Sequence, residues 1–114
     1  MQNFLPRVRV EVYVPVRHES AYQEILAWLI QEFTYLQGGC SVVENISGYY
    51  FSNDGEIIDD RINLVYCDFP LNWNVKSDQE QILNYCHNLQ AFLLDNLSEE
   101  AVLISVYSVH SSLS

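Results

Sequence analysis

The sequence predicts an α+β sandwich, a four-stranded antiparallel sheet with two helices on one face. Two observations carry this. The chain reads as strand, helix, long hairpin, helix, strand with almost nothing left over. Its first strand alternates Val8, Val10, Val12, Val14 and Val16 with Arg7, Arg9, Glu11, Tyr13 and Pro15. A β-branched face at period two belongs to a strand that other elements cover. For the order βαββαβ the compact solution is two interlocked βαβ units, with strands 1 and 3 in the middle. This is the ferredoxin-like sandwich, expected as a single domain over all 114 residues.

The first strand is expected over Arg7 to Val16. A helix follows from about Glu19 to Leu36. Ser20 and Gln23 have capping-box spacing. Tyr22, Ile25, Leu26, Leu29, Ile30, Phe33 and Leu36 form one apolar stripe, and Gly38-Gly39 supplies the left-handed stop. The hairpin spans Cys40 to Phe51 and Glu56 to Phe69. Its turn, Asn53-Asp54-Gly55, reads as a type I turn closed by Gly55 in the left-handed region. Pairing Ser52 with Glu56 sets Tyr50 opposite Ile58, Gly48 opposite Asp60 and Ile46 opposite Ile62. Val43 should then face Leu64, which requires a bulge near Glu44-Asn45 and brings Cys40 close to Cys67. A second helix, Ser77 to about Asn96, starts with Ser77 and Glu80 at capping-box spacing. It buries Ile82, Leu83, Cys86, Leu89, Leu93 and Leu97. The last strand is expected over Ala101 to Val109, with residues 111 to 114 as a frayed tail.

Fifteen acids against five bases leave a net charge of −10. Nucleic-acid binding draws on Lys and Arg to displace phosphate counterions, so no nucleic-acid partner is expected, and no anionic membrane surface either. A basic protein partner fits the charge. No apolar run approaches the ~20 residues of a membrane span, and Met1 to Pro6 lacks the features of a signal peptide. We therefore expect a cytoplasmic protein with Cys40, Cys67 and Cys86 as reduced thiols.

Candidate chemistry is sparse. His18 and His110 should lie at opposite ends of the sheet, and His87 on a helix flank, so they cannot share an ion. Asp54, Glu56, Asp59, Asp60, Glu99 and Glu100 could converge near His18 and meet a hard cation. The loop lacks a calcium-ligand rhythm, however, and such acids are usually solvated. Cys86 belongs to a helix stripe, where free Cys acts as a small hydrophobe. Cys40 and Cys67 are the one pair with redox potential. No G-x-S-x-G element, P-loop or dinucleotide glycine pattern is present. No metal, cofactor or catalytic residue is expected.

The uncovered sheet face is the surface of interest. It is expected to carry Arg9, Glu11 and Tyr13 from the first strand. Tyr49 and Phe51 should come from the second, Arg61, Asn63 and Val65 from the third, and Leu103, Ser105 and Tyr107 from the last. Its ligand-binding or interface residues would be Arg9, Glu11, Tyr13, Arg61, Asn63 and Tyr107. An apolar face seldom stays bare. The expected cover is a second copy, giving a dimer with Arg9, Glu11 and Arg61 as its charged register. The alternative is a ligand-binding protein or cofactor-independent enzyme of the dimeric α+β barrel kind. Arg9, Tyr13, Arg61 and Tyr107 would then surround a pocket, a guanidinium holding a carboxylate.

The segments Gly38-Gly39-Cys40-Ser41-Val42-Val43, Gly48-Tyr49-Tyr50 and Asp54-Gly55-Glu56-Ile57-Ile58 resemble the central hairpin of small uncharacterised ferredoxin-like proteins. There, too, a helix ends in Gly-Gly and a long strand leads to an Asp-Gly turn. The resemblance implies the fold and no activity. The function expected is that of a self-associating domain with an interaction role through its open sheet face.

Overall fold

The computed structural model describes residues 4–112 and has the expected order: β1 (Leu5–Pro15), α1 (Ser20–Gln37), β2 (Ser41–Phe51), β3 (Ile57–Phe69), α2 (Lys76–Asn96) and β4 (Ile104–Ser111). The strands form one antiparallel sheet in the order β2-β3-β1-β4. This is the ferredoxin-like sandwich, with β3 and β1 central. The valine face of β1 is its floor: Val8, Val10, Val12 and Val14 are buried under Leu29 and Phe33 of α1 and Ile82 and Leu93 of α2.

Local chemistry accounts for the boundaries. Gly38 ends α1 in the left-handed region at φ 81°, donating its N–H to Thr34 O at 2.8 Å. Gly55 closes the hairpin turn at φ 82°, with Ser52 paired to Glu56. The hairpin register is the expected one: Tyr50 opposite Ile58, Gly48 opposite Asp60, Ile46 opposite Ile62 and Val43 opposite Leu64. The bulge lies between Val43 and Ile46, where Asn45 takes a positive φ of 58°. Asn tolerates that region better than most residues.

Four expectations are corrected. Neither capping box forms. Glu19 and Val75 occupy the cap positions without side-chain hydrogen bonds, because Ser20 and Ser77 already lie inside their helices. A turn from Asn72 carries the chain into α2, and its first-turn Asp78 accepts the Asn72 N–H at 2.9 Å. Leu36 and Leu83, expected in the core, are exposed. β4 starts at Ile104 rather than Ala101: Val102 is drawn into the core and Gln90 Nε2 binds its carbonyl at 2.8 Å, so this stretch runs as an anchored connection. Ser111 still belongs to β4, and the end of the expected tail, residues 113 and 114, lies outside the described residues.

The molecule measures 52 × 29 × 26 Å, with a radius of gyration of 15.6 Å. A compact chain of ~100 residues has a radius near ~13 Å. The excess comes from the outer half of the β2–β3 hairpin, an arm that neither helix covers.

Candidate functional site

Strand pairing decides what the open face carries. Residues directly opposite each other share a face. Val12 pairs with Val65 and Val14 with Asn63, so Asn63 and Val65 lie on the helix side, and Arg61 follows in phase. Val65 is fully buried. The expectation that Arg61, Asn63 and Val65 point to the open face is therefore corrected. β3 instead offers Asp60, Ile62, Leu64, Tyr66 and Asp68 there. In β2 the same correction moves Tyr49 and Phe51 to the helix side and puts Ile46 and Tyr50 on the open one. Arg9, Glu11 and Tyr13 do lie on the open face, and Ser105 and Tyr107 join them opposite Glu11 and Arg9.

The corrected residues have local work. Asn63 Oδ1 accepts the Asn45 N–H at 2.9 Å, satisfying the bulge amide. Arg61 Nη1 donates to Ser47 Oγ at 2.8 Å, across the helix side of the arm.

At one end of the open face Arg9 is already paired. Its Nε and Nη2 reach the two oxygens of Asp68 at 2.7 and 3.0 Å, and it lies 4.7 Å from the centre of the Tyr66 ring. This bidentate pair raises the Arg9 pKa further, so Arg9 is not a free anion holder. Partial burial and the Glu11 carboxylate push the Tyr107 phenol up. A cleft of about 410 Å³ adjoins this end, lined by Arg9, Gly38, Gly39, Cys40, Tyr66 and Cys67 among others. Burial, with Cys40 nearby, pushes the Cys67 thiol up to about 12, and burial pushes Cys86 up to about 11.

At the other end Arg17 gathers two of the six acids that sequence placed near His18, Asp60 and Glu99. Its Nη1 and Nη2 bind Asp60 at 2.7 and 3.2 Å, and Nη2 lies 3.4 Å from Glu99. The Tyr22 hydroxyl donates to the other Glu99 oxygen at 2.6 Å. Arg17 holds the Asp60 carboxyl below its ordinary value, while burial, followed by the Glu99 hydrogen bond, raises the Tyr22 phenol. Sequence reasoning missed Arg17 and Tyr22 as partners. The signal available was an arginine directly after the strand that faces Asp60. His18 is exposed and takes no part. Beside this network opens a second cleft, of about 660 Å³, lined by Tyr13, Tyr50, Ile62 and Leu103 with Asp60, Glu99 and Glu100 at its rim. Thus Arg9 and Tyr13 line separate clefts, Arg61 lies on the other face, and the four residues of the alternative pocket do not surround one cavity.

The arm presents a run of exposed apolar side chains. Tyr49, Phe51 and Ile57 are 69, 74 and 68% exposed on its helix side. Phe51 and Ile57 are direct cross-strand partners.

No family model and no curated protein matches the chain. Solved structures do. CutA1 from Oryza sativa superposes with a TM-score of 0.57 at 17% identity, covering 93% of this chain and 82% of that one. The divalent cation tolerance protein Cut A1 from Thermus thermophilus gives a TM-score of 0.54 at 16% identity, covering 90% of this chain and 82% of its own. The likeness is one of fold. Among the described residues no three His, Cys, Asp or Glu side chains gather as a ligand set, and no helix is long and apolar enough to cross a membrane.

Proposed function

We propose that this chain is a self-associating interaction domain of the cytoplasm, all 114 residues forming one unit, in which a second copy covers the open face and the arm. The observation that carries this reading is the uncovered stripe of Tyr49, Phe51 and Ile57. Aromatic and aliphatic side chains standing in water are stabilised by removal from it. β2 also has a free edge, so pairing with another chain costs little backbone reorganisation. Arg9, Glu11, Tyr13 and Tyr107 form the polar border of the covered face in a dimer. Arg61 and Asn63 border the stripe on the other side of the arm. A basic protein is the other partner that a net charge of −10 fits.

Sedimentation equilibrium tests this reading. The wild-type chain is expected to associate at micromolar concentration, and the double variant Tyr49→Ser, Phe51→Ser to remain monomeric. A wild-type monomer at high micromolar concentration would rule the assembly out.

A second reading, divalent-cation handling as in the name of the Thermus protein, is favoured by the surplus of carboxylates. Its test is the melting temperature with millimolar magnesium, zinc or copper(II). A shift reversed by a chelator supports it, and an unmoved transition removes it.

A further inference from the structure

We propose that the cleft between the arm and the connection leading into β4 binds a small organic cation, an ammonium or guanidinium group carried on an aromatic or short aliphatic body. The site follows from the strand lengths. The last ladder pair of β4 with β1 is Val12 with Ile104. β1 continues along β3 to Pro15, opposite Ile62. Tyr13 and Pro15 face outward there, and the last tie to the β4 side is the Tyr13 N–H donated to Leu103 O at 3.1 Å, so Pro15 has no neighbour on that side. The connection forms one wall and Tyr50 of the arm the other, and between them lies an open cleft of about 660 Å³. Small-molecule sites commonly hold ~300–1,000 Å³, with apolar walls and a few placed polar groups. Here Tyr13, Pro15, Ile62 and Leu103 make the floor.

The polar groups set the sign of the ligand. Asp60, Glu99 and Glu100 line the cleft, whereas Arg17, the base that orders the first two, lies outside its lining. Three carboxylates against one guanidinium leave an excess of negative charge. Arg9 is engaged at the far end of β1 by Asp68, and Arg61 faces the opposite side of the sheet. Glu100 is exposed and has no ion pair among the described residues. An anionic ligand, the kind the sequence suggested, is thus repelled. A bare divalent ion would want several oxygens converging at short range, and the carboxylates here do not form such a set. A larger cation fits both halves of the cleft: its charge meets the acidic rim and its body displaces water from the floor. Tyr13 and Tyr50 add aromatic rings, a residue type that attracts cations, to the lining.

The cleft opens on the sheet face that the proposed dimer covers and shares Tyr13 with it, and the experiment keeps the two readings apart. Phenethylammonium, 2-phenylethanol and phenylacetate are titrated into the full chain. Amide shifts are followed by NMR and affinity by calorimetry. The ammonium probe is expected to move Tyr13, Ile62 and Leu103. The neutral alcohol should bind at least ~10-fold more weakly, a difference of ~1.4 kcal/mol, and the carboxylate should not bind. Glu100→Gln is expected to weaken the ammonium probe several-fold at an unchanged melting temperature. Glu24→Gln, which removes the same charge from the exposed side of α1, should leave affinity as it was. Equal binding of the amine and the alcohol, equal effects of the two Gln variants, or no shifts at millimolar probe would overturn the proposal. The titration is repeated on Tyr49→Ser, Phe51→Ser. Retained binding there supports a site complete within one chain, whatever that variant's state of assembly. Binding seen only in that variant would give the cleft to a second copy and overturn the proposal.

Discussion

Arg17 shows how much one side chain organises here. It lies two residues beyond the end of β1, reaches Asp60 on β3 and Glu99 after α2, and so ties three distant parts of the chain at one end of the sheet. The ion pair with Asp60 is partly screened, with side chains 30% and 22% exposed, so its worth is about 1 kcal/mol. The Asp60 carboxyl is held below its ordinary value of 3.8. Its stabilisation is therefore complete above that pH and is lost as pH falls through the lower, folded value. Urea unfolding of Asp60→Asn should show a deficit of about 1 kcal/mol at pH 7 that disappears in strong acid. The thiols give a second test. Cys67 and Cys86 are buried with raised pKa values, whereas Cys40 is half-buried at the mouth of a cleft. Alkylation of the native protein, read by mass spectrometry, should modify Cys40 first and the other two only on unfolding.

At the scale of elements, the stripe of α1 and the arm behave oppositely. Tyr22, Ile25, Leu29 and Phe33 drive α1 onto the sheet, while Leu36 at its end hangs past the core. Leu29→Ala should cost about 3 kcal/mol, since its site is fully enclosed. Leu36→Ala should cost less than ~1 kcal/mol. Denaturant titration of both variants separates a stripe read from periodicity from the part of it that is covered. The arm has no such support. The bulge at Asn45, satisfied by Asn63, lets the base of the hairpin follow the core while its outer half leaves it. Both side-chain faces of that outer half then meet solvent.

For the molecule as a whole, the consequence is an elongated particle whose projecting arm carries a run of exposed apolar side chains. Stability and assembly should therefore separate. Tyr49→Ser, Phe51→Ser is expected to keep the wild-type denaturant midpoint at low protein concentration, because both side chains are already in water. The same variant loses association in the centrifuge. A fall in its midpoint at a concentration where the wild type is monomeric would mean that the arm supports the monomer fold instead.

The sequence by itself determined the element order, the ferredoxin-like class, the hairpin register and the position of its bulge. Each follows from local signals: valines at period two, Gly38 and Gly55 at left-handed positions, and the slip in apolar phase at Glu44-Asn45. The face assignment of β3 was not legible, because both of its faces are apolar. Ile58, Ile62, Leu64 and Tyr66 alternate with Ile57, Val65, Cys67 and Phe69, and periodicity cannot choose between two such rows. Only the non-local pairing of Val12 with Val65 decides which row is buried. That choice moved Arg61 and Asn63 off the open face and brought Asp60 onto it. The cleft beside Tyr13 depends on a further tertiary event, the burial of Val102, which delays β4 so that beyond the Tyr13–Leu103 hydrogen bond β1 has β3 alone as its neighbour.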